Sequence, residues 1–134
     1  MKQFLRLVTA ALLLFNAGGA VYGGLNLVMF PDGSRLHLSP GLLRHSMFSD
    51  YFIPGLLLLL SNGVLGLWTL VTVLLRTKLY CRFVILQGGI LFSWIIIQVL
   101  MIQTTSFFHY ILASIGLLLV LIGYILNKLE ASHE

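Results

Sequence analysis

The chain has 134 residues, of which 59% are hydrophobic and 9% are charged. A soluble domain carries about 25% charged residues, so this composition excludes a soluble domain and indicates that lipid surrounds most of the chain. The formal net charge is +4, but the basic residues stand at the ends of apolar segments rather than along one face, which argues against a nucleic-acid partner. The single cysteine, Cys81, excludes an intrachain disulfide.

Four apolar segments are long enough to cross a bilayer as helices, which takes about 20 residues at a rise of about 1.5 Å each. They cover residues 7–29, 52–75, 83–101 and 110–126. The sequence therefore predicts one transmembrane domain over residues 1–134. Its fold class is all-α, an integral membrane four-helix bundle with up-down topology.

The first segment carries small residues four positions apart, Gly19 with Gly23 and Ala20 with Gly24. This spacing is typical of close contacts between membrane helices, and we expect it to serve folding of the bundle rather than dimerisation. The N-terminal stretch also resembles a secretory signal. Because apolar character continues to Phe30, longer than a signal core needs, we expect this segment to be retained.

A polar stretch separates the first two segments. Residues 31–34, Pro-Asp-Gly-Ser, are typical of a turn. Residues 39–49 begin with Ser-Pro and carry leucines on one side, which predicts a short helix in the outer membrane interface, with an ordinary loop as an equal alternative. Asp50 is expected to accept hydrogen bonds from the first free N–H groups of the second segment, and Pro54 lies in its first turn, where proline costs little.

Lysines and arginines are distributed unequally between the two sides of the predicted bundle. One side holds Lys2, Arg6, Arg76, Lys78, Arg82 and Lys128, and the other holds Arg35 and Arg44. Cytoplasmic loops carry the excess of lysine and arginine. We therefore expect a multi-pass protein of the cell inner (plasma) membrane with both termini in the cytoplasm.

No Asp, Glu, Lys or Arg lies deep in a predicted span, which disfavours a pump or transporter. The neutral polar residues inside the spans are Asn16, Asn26, Asn62, Gln87, Ser93, Gln98 and Ser114. The helix rise places Asn62, Gln98 and Ser114 about 20 to 22 Å from the cytoplasmic end, so we expect these three in one layer. They either hydrogen-bond between helices and fix packing, or line a pocket for the polar part of a lipid-like ligand. Trp94 shares a helix face with Gln98.

The outer end of the bundle gathers the other polar residues, among them Asp50, Tyr51 and His109. His37 and His45 are eight residues apart and His109 comes from a distant loop, which is not the spacing of a metal site, so we expect no metal and no haem. No nucleophile-elbow sequence accompanies the serines. We therefore assign no catalytic residue.

Two stretches resemble a family of small four-span bacterial membrane proteins that is itself uncharacterised. One runs from the Pro-Asp-Gly-Ser turn at residues 31–34 to Ser-Met-Phe-Ser-Asp-Tyr-Phe-Ile-Pro-Gly at residues 46–55, and the other is Trp-Ile-Ile-Ile-Gln-Val-Leu-Met at residues 94–101. The resemblance covers most of the chain. It implies the four-span topology and a bacterial origin, and it carries no activity. Members often have Glu at the position of Gln98, so the amide here argues against proton transfer at that position.

Taken together, these patterns predict a small integral membrane protein, without cofactor, that binds a lipid-like ligand or a partner helix. The candidate ligand-binding residues are Asp50, Tyr51, Asn62, Trp94, Gln98 and His109. The expected partners are membrane lipid and either a second copy of the chain or another membrane protein. Two alternatives stay open: a membrane enzyme that acts on a lipid or isoprenoid substrate, with Asp50 and His109 as acid and base, and a small carrier or channel.

Overall fold

The structure, a computed structural model, describes residues 1–32, 50–102 and 107–131. These residues form four helices and no strand: α1 (Lys2–Met29), α2 (Phe52–Leu74), α3 (Tyr80–Ile102) and α4 (Phe107–Ala131). Each helix is long and apolar enough to cross a membrane. The predicted all-α four-helix bundle is therefore confirmed, and the chain has the make-up of a multi-pass membrane protein. The predicted interfacial helix at residues 39–49, together with His37 and His45, lies outside the described residues.

The helices extend beyond the apolar segments mainly at one end. α1 begins at Lys2 rather than at residue 7, α3 begins at Tyr80 rather than at residue 83, and α4 continues to Ala131 rather than ending at residue 126. Interfacial lysine, arginine and tyrosine side chains have apolar stems or rings and polar tips, so a helix can continue for a turn or more past the hydrocarbon.

The helices close into a ring in chain order. α1 packs along the whole length of α2 and forms the most extensive pair with it, α3 and α4 form the next, α2 contacts α3 through its second half, and α1 also contacts α4. Large apolar side chains fill the centre, where the fully buried ones include Leu13, Leu91, Leu119 and Leu126. Many other leucines, isoleucines and phenylalanines face outward, as expected where lipid rather than water surrounds a protein.

Glycines allow two of these helix pairs to approach closely. A Cβ on Gly24 of α1 would lie 2.8 Å from the Leu59 Cβ of α2, and a Cβ on Gly88 of α3 would lie 2.6 Å from the Gly116 oxygen of α4. These distances leave no room for a side chain, so the predicted folding role of small residues is confirmed for Gly24. Gly19, in contrast, has nothing within 4 Å of an ideal Cβ and faces open space.

Hydrogen bonds define the two ends of the bundle. At one end, here called the basic end, the Tyr80 hydroxyl donates to Glu130 Oε1 at 3.0 Å, and Lys2 Nζ lies 3.6 Å from the same oxygen. At the other end, here called the Asp50 end, the Tyr51 N–H donates to the Pro31 oxygen at 2.8 Å. There the Phe52 N–H also donates to Asp50 Oδ1 at 3.0 Å, which confirms the predicted role of that side chain at the start of α2.

Candidate functional site

A cluster of three amide side chains lies in the interior of the bundle. Asn16 of α1, Asn62 of α2 and Gln87 of α3 are 5%, 0% and 0% exposed, and we call them the amide cluster. Asn62 Oδ1 accepts from Asn16 Nδ2 at 3.4 Å and from Gln87 Nε2 at 3.1 Å. Asn62 Nδ2 donates in turn to the Ser61 hydroxyl at 3.2 Å. Asn62 therefore joins three helices through its side chain.

The backbone of α2 departs from α-helical geometry around Asn62. The helix is α-helical over Phe52–Leu58 and Leu65–Leu74 but π-helical over Leu59–Val64. The Leu65 N–H bonds to the Leu60 oxygen, five residues earlier, rather than to the Ser61 oxygen that an α-helix would use. The Ser61 oxygen instead accepts from Gln87 Nε2 at 3.3 Å. The π-helical turn thus presents a backbone acceptor to the neighbouring helix, as such turns often do at functional sites.

One polar atom of the amide cluster has no partner. Among the buried side-chain nitrogen and oxygen atoms that the structure describes, Gln87 Oε1 alone makes no hydrogen bond. Both hydrogens of its amide nitrogen are directed to oxygens, Ser61 O and Asn62 Oδ1, so turning the amide over would set oxygen against oxygen. The cluster is therefore a polar site in hydrocarbon that its own residues satisfy only in part.

A cavity of about 360 Å³ adjoins the amide cluster. We call it the interhelical cavity, because all four helices contribute to its wall. Its lining residues are Phe15, Asn16, Gly19, Ala20, Leu58, Leu91, Trp94, Ile95, Gln98 and Leu112. Asn16 and Gln98 are the amides in this wall, and the Trp94 side chain also borders the space. An apolar space with a few convergent polar groups, within the range of about 300 to 1,000 Å³, is typical of sites for small molecules.

A larger space lies between α2 and α3. This apolar groove has a volume of about 640 Å³, and its lining residues are Pro54, Leu57, Ser61, Ile85, Leu86, Gly89, Ile90, Ser93, Trp94 and Ile97. Gly89 has nothing within 4 Å of an ideal Cβ, so the absence of a side chain there helps to open the groove. Trp94 is 8% exposed and lines both the groove and the interhelical cavity. Its ring therefore stands between the two spaces.

The candidate residues from the sequence fall into two groups. Trp94 and Gln98 line the interhelical cavity, and Asn62 reaches its wall through the hydrogen bond with Asn16. Asp50, Tyr51 and His109 lie at the Asp50 end and line neither the cavity nor the groove.

The residues at the Asp50 end differ in exposure. Asp50 is exposed, whereas Tyr51 and His109 are buried. Burial raises the pKa of the Tyr51 phenol, so this hydroxyl stays protonated to a higher pH than an exposed tyrosine does.

The predicted layer of Asn62, Gln98 and Ser114 does not form. Ser114 is exposed and its hydroxyl donates to the Tyr110 oxygen of its own helix at 2.8 Å. Asn62 pairs with Gln87, although the helix rise puts Asn62 about 18 Å and Gln87 about 10 Å from the helix ends at Leu74 and Tyr80. Depth alone could not have identified this pair. The signal in the sequence was that each of the first three spans carries at least one amide side chain.

Comparisons with known proteins add no relative. No family model, no curated protein and no solved structure matches the chain. The resemblance to small four-span bacterial proteins therefore stays an expectation from residues 31–55 and 94–101. Within the described ranges, no group of three or more His, Cys, Asp or Glu side chains converges in a way that could hold a metal ion.

Proposed function

We propose that this chain is a small membrane protein that binds a lipid-like molecule in the interhelical cavity. The observation that supports this most is the composition of the cavity wall, which is apolar on all four helices except for Asn16, Gln98 and the Trp94 indole. A purely structural set of amides would be fully paired with one another. Here Gln98 borders open space, and the adjoining cluster leaves Gln87 Oε1 without a partner.

The wall also indicates the chemistry of the ligand. Asn and Gln each offer a donor and an acceptor, and the indole offers a donor, so a hydroxyl, carbonyl or amide group would be bound more readily than a charged one. The rest of the ligand would be hydrocarbon. The apolar groove on the other side of Trp94 provides further space for chains, so we infer a ligand with a small uncharged polar group and long apolar parts.

The placement in the membrane follows from the charge pattern. Lysines and arginines gather at the basic end, and we infer that this end faces the cytoplasm of a bacterial inner membrane. Gln98 lies four residues, or about 6 Å, before the end of α3 at Ile102. The interhelical cavity would then lie in the outer half of the membrane, open to a ligand from the outer leaflet.

Trp94 provides a fluorescent probe for this proposal, because the chain has one other tryptophan, Trp68, which can be replaced. In a Trp68→Phe background, Trp94 is the one remaining indole, and dibrominated phosphatidylcholine in nanodiscs should quench its fluorescence if a chain lies against it. The Trp94→Phe variant, which retains Trp68, gives the reference for full contact with lipid, because Trp68 is 56% exposed on the outer surface. We expect quenching of Trp94 to approach that of Trp68. Quenching of Trp94 near zero would refute occupation by lipid.

Variants at two neighbouring glycines can distinguish lipid bound in the cavity from lipid on the outer surface of the bundle. Gly19 lines the interhelical cavity, whereas Gly18 does not, and neither has an atom within 4 Å of an ideal Cβ. A leucine at either position should therefore be accommodated without a backbone clash. We expect Gly19→Leu to reduce quenching of Trp94 at least about threefold and Gly18→Leu to leave it unchanged, a difference of about 0.7 kcal/mol in occupancy. Equal effects of the two variants would contradict the proposed site.

A further inference from the structure

The basic end of the bundle contains a concave site that the proposed function does not use. A pocket of about 510 Å³ is formed by the start of α1, the turn between α2 and α3, and the end of α4. Five cationic side chains line it: Lys2, Arg6, Arg76, Lys78 and Arg82. We call this space the basic pocket. The charge bias of membrane proteins accounts for the sign of these residues, but it does not require two separate segments, the start of α1 and residues 76–82, to place them around one concavity.

A single carboxylate neutralises only part of this charge. Glu130 Oε1 accepts from Arg6 Nη1 at 3.4 Å and from the Tyr80 hydroxyl at 3.0 Å, and Lys2 Nζ lies at 3.6 Å. Arg76, Lys78 and Arg82 form no ion pair with any carboxylate in the described part of the chain. The pocket therefore has a strong excess of positive charge, which favours binding of an anion.

The backbone at Arg76 carries a second signal. Its φ is 54°, in the left-handed region, and no other non-glycine residue in the described ranges has a positive φ. The Arg76 N–H donates to the Val73 oxygen and the Thr77 N–H donates to the Thr72 oxygen, which is the Schellman ending of a helix. Glycine is the favoured residue at this position, because a side chain there is strained. Arginine at this position places a cationic side chain at the wall of the pocket, where glycine would place none.

The neighbouring surface identifies the kind of anion. Arg6 and Arg76 also line a second space of about 310 Å³ between α1 and α2, whose other lining residues are Gln3, Leu7, Ala10, Val73 and Leu74. This cleft is largely apolar and lies beside the basic pocket. A soluble phosphate would use only the pocket, whereas a lipid would place its phosphate in the pocket and hydrocarbon along the cleft.

We propose that the basic pocket binds the phosphate of an anionic phospholipid, with the start of a chain in the cleft between α1 and α2. Arg76, Lys78 and Arg82 contact the phosphate oxygens, and Glu130 holds Arg6 and Tyr80 in place at the rim. Basic pockets between membrane helices are a known form of site for anionic head groups. This site lies at the opposite end of the bundle from the interhelical cavity, and it does not depend on the function proposed for that cavity.

Native mass spectrometry of the full chain in detergent tests the proposal with two lipids of identical chains. We expect phosphatidylglycerol to bind at least about tenfold more tightly than phosphatidylcholine, whose phosphate is neutralised by its own choline. Inorganic phosphate and glycerol phosphate, added as competitors at millimolar concentration, should not displace the bound phosphatidylglycerol. Displacement by either competitor would mean a site for a soluble anion and would overturn the assignment to a lipid.

Variants locate the binding within the pocket. Arg82→Gln should weaken binding of phosphatidylglycerol about fivefold, and the combined Arg76→Gly, Lys78→Gln and Arg82→Gln variant about a hundredfold. Lys128→Gln is the matched control, since Lys128 lies 5.4 Å from the Tyr124 ring centroid and does not line the pocket. It should change binding less than twofold. An equal loss with Lys128→Gln, or equal binding of the two lipids by the unaltered chain, would refute the site.

The combined variant also needs a check on folding. Arg76→Gly removes the side chain from a backbone conformation that glycine adopts without strain. The thermal midpoint of the combined variant, followed by circular dichroism, should therefore equal or exceed that of the unaltered chain. Weaker phosphatidylglycerol binding by a variant of undiminished stability assigns the loss to the pocket. Undiminished binding by the combined variant refutes the assignment of the phosphate contacts to Arg76, Lys78 and Arg82.

Discussion

Replacement of Asn62 by leucine tests whether the amide cluster holds three helices together. The substitution removes the hydrogen bonds from Asn16 and Gln87 and the bond to the Ser61 hydroxyl. Side-chain hydrogen bonds in membrane proteins average about 0.6 kcal/mol. The Asn16 amide also loses its acceptor in the cluster, and an unsatisfied buried group costs about 1 to 3 kcal/mol. We therefore expect Asn62→Leu to lower the free energy of unfolding by about 3 kcal/mol.

Replacement of Gln87 by methionine, which has a similar length, should have a much smaller effect. Gln87 donates two hydrogen bonds, to Ser61 O and to Asn62 Oδ1, so their loss costs about 1 kcal/mol. The same substitution removes the unpaired Gln87 Oε1, whose burial already costs about 1 kcal/mol or more. The two effects nearly cancel. We expect the free energy of unfolding to change by less than about 1 kcal/mol.

The assay is unfolding by SDS in mixed detergent micelles, followed by far-ultraviolet circular dichroism. Ser114→Ala serves as the control, because the Ser114 hydroxyl is exposed and bonds to its own helix. Its effect should stay below about 0.5 kcal/mol. If Gln87→Met destabilises the protein as much as Asn62→Leu does, then Gln87 Oε1 has a partner in the folded state and the argument from an unsatisfied oxygen is wrong.

Helix packing and the charge pattern each give a further prediction. Gly88→Ala should cost about 2 kcal/mol in the same unfolding assay, because its Cβ would lie 2.6 Å from a backbone oxygen of α4. Gly89→Ala, with nothing within 4 Å, should be neutral or slightly stabilising, and equal costs would contradict the close approach of the helices. For orientation, in a Cys81→Ser background, a membrane-impermeant maleimide added to intact bacteria should label Asp50→Cys and leave Ala131→Cys unlabelled. Labelling of the second variant alone would invert the proposed topology.

The sequence alone was sufficient for the number and type of the helices. A run of about 20 apolar residues in lipid must pair its backbone groups within the segment, so a helix follows from length and composition without any tertiary contact. Hydrogen bonds between residues close in sequence could also be predicted, as the bond from the Phe52 N–H to Asp50 at the start of α2 shows. The apolar segments end several residues short of the helix ends at Lys2, Tyr80 and Ala131, because the helices continue through polar interfacial residues beyond the hydrocarbon.

Only the tertiary structure decided which polar groups meet. Depth along each span predicted Asn62 with Gln98 and Ser114, but the rotation of each helix about its axis and the reach of a long side chain paired Asn62 with Asn16 and Gln87 instead. The π-helical turn that offers the Ser61 oxygen to Gln87 has no signature in a run of leucines. Cavities and pockets have the same origin, since they arise where side chains of different helices fail to fill the space between them. An apolar pattern specifies that each helix is buried in lipid, and the contacts among the helices specify what remains open.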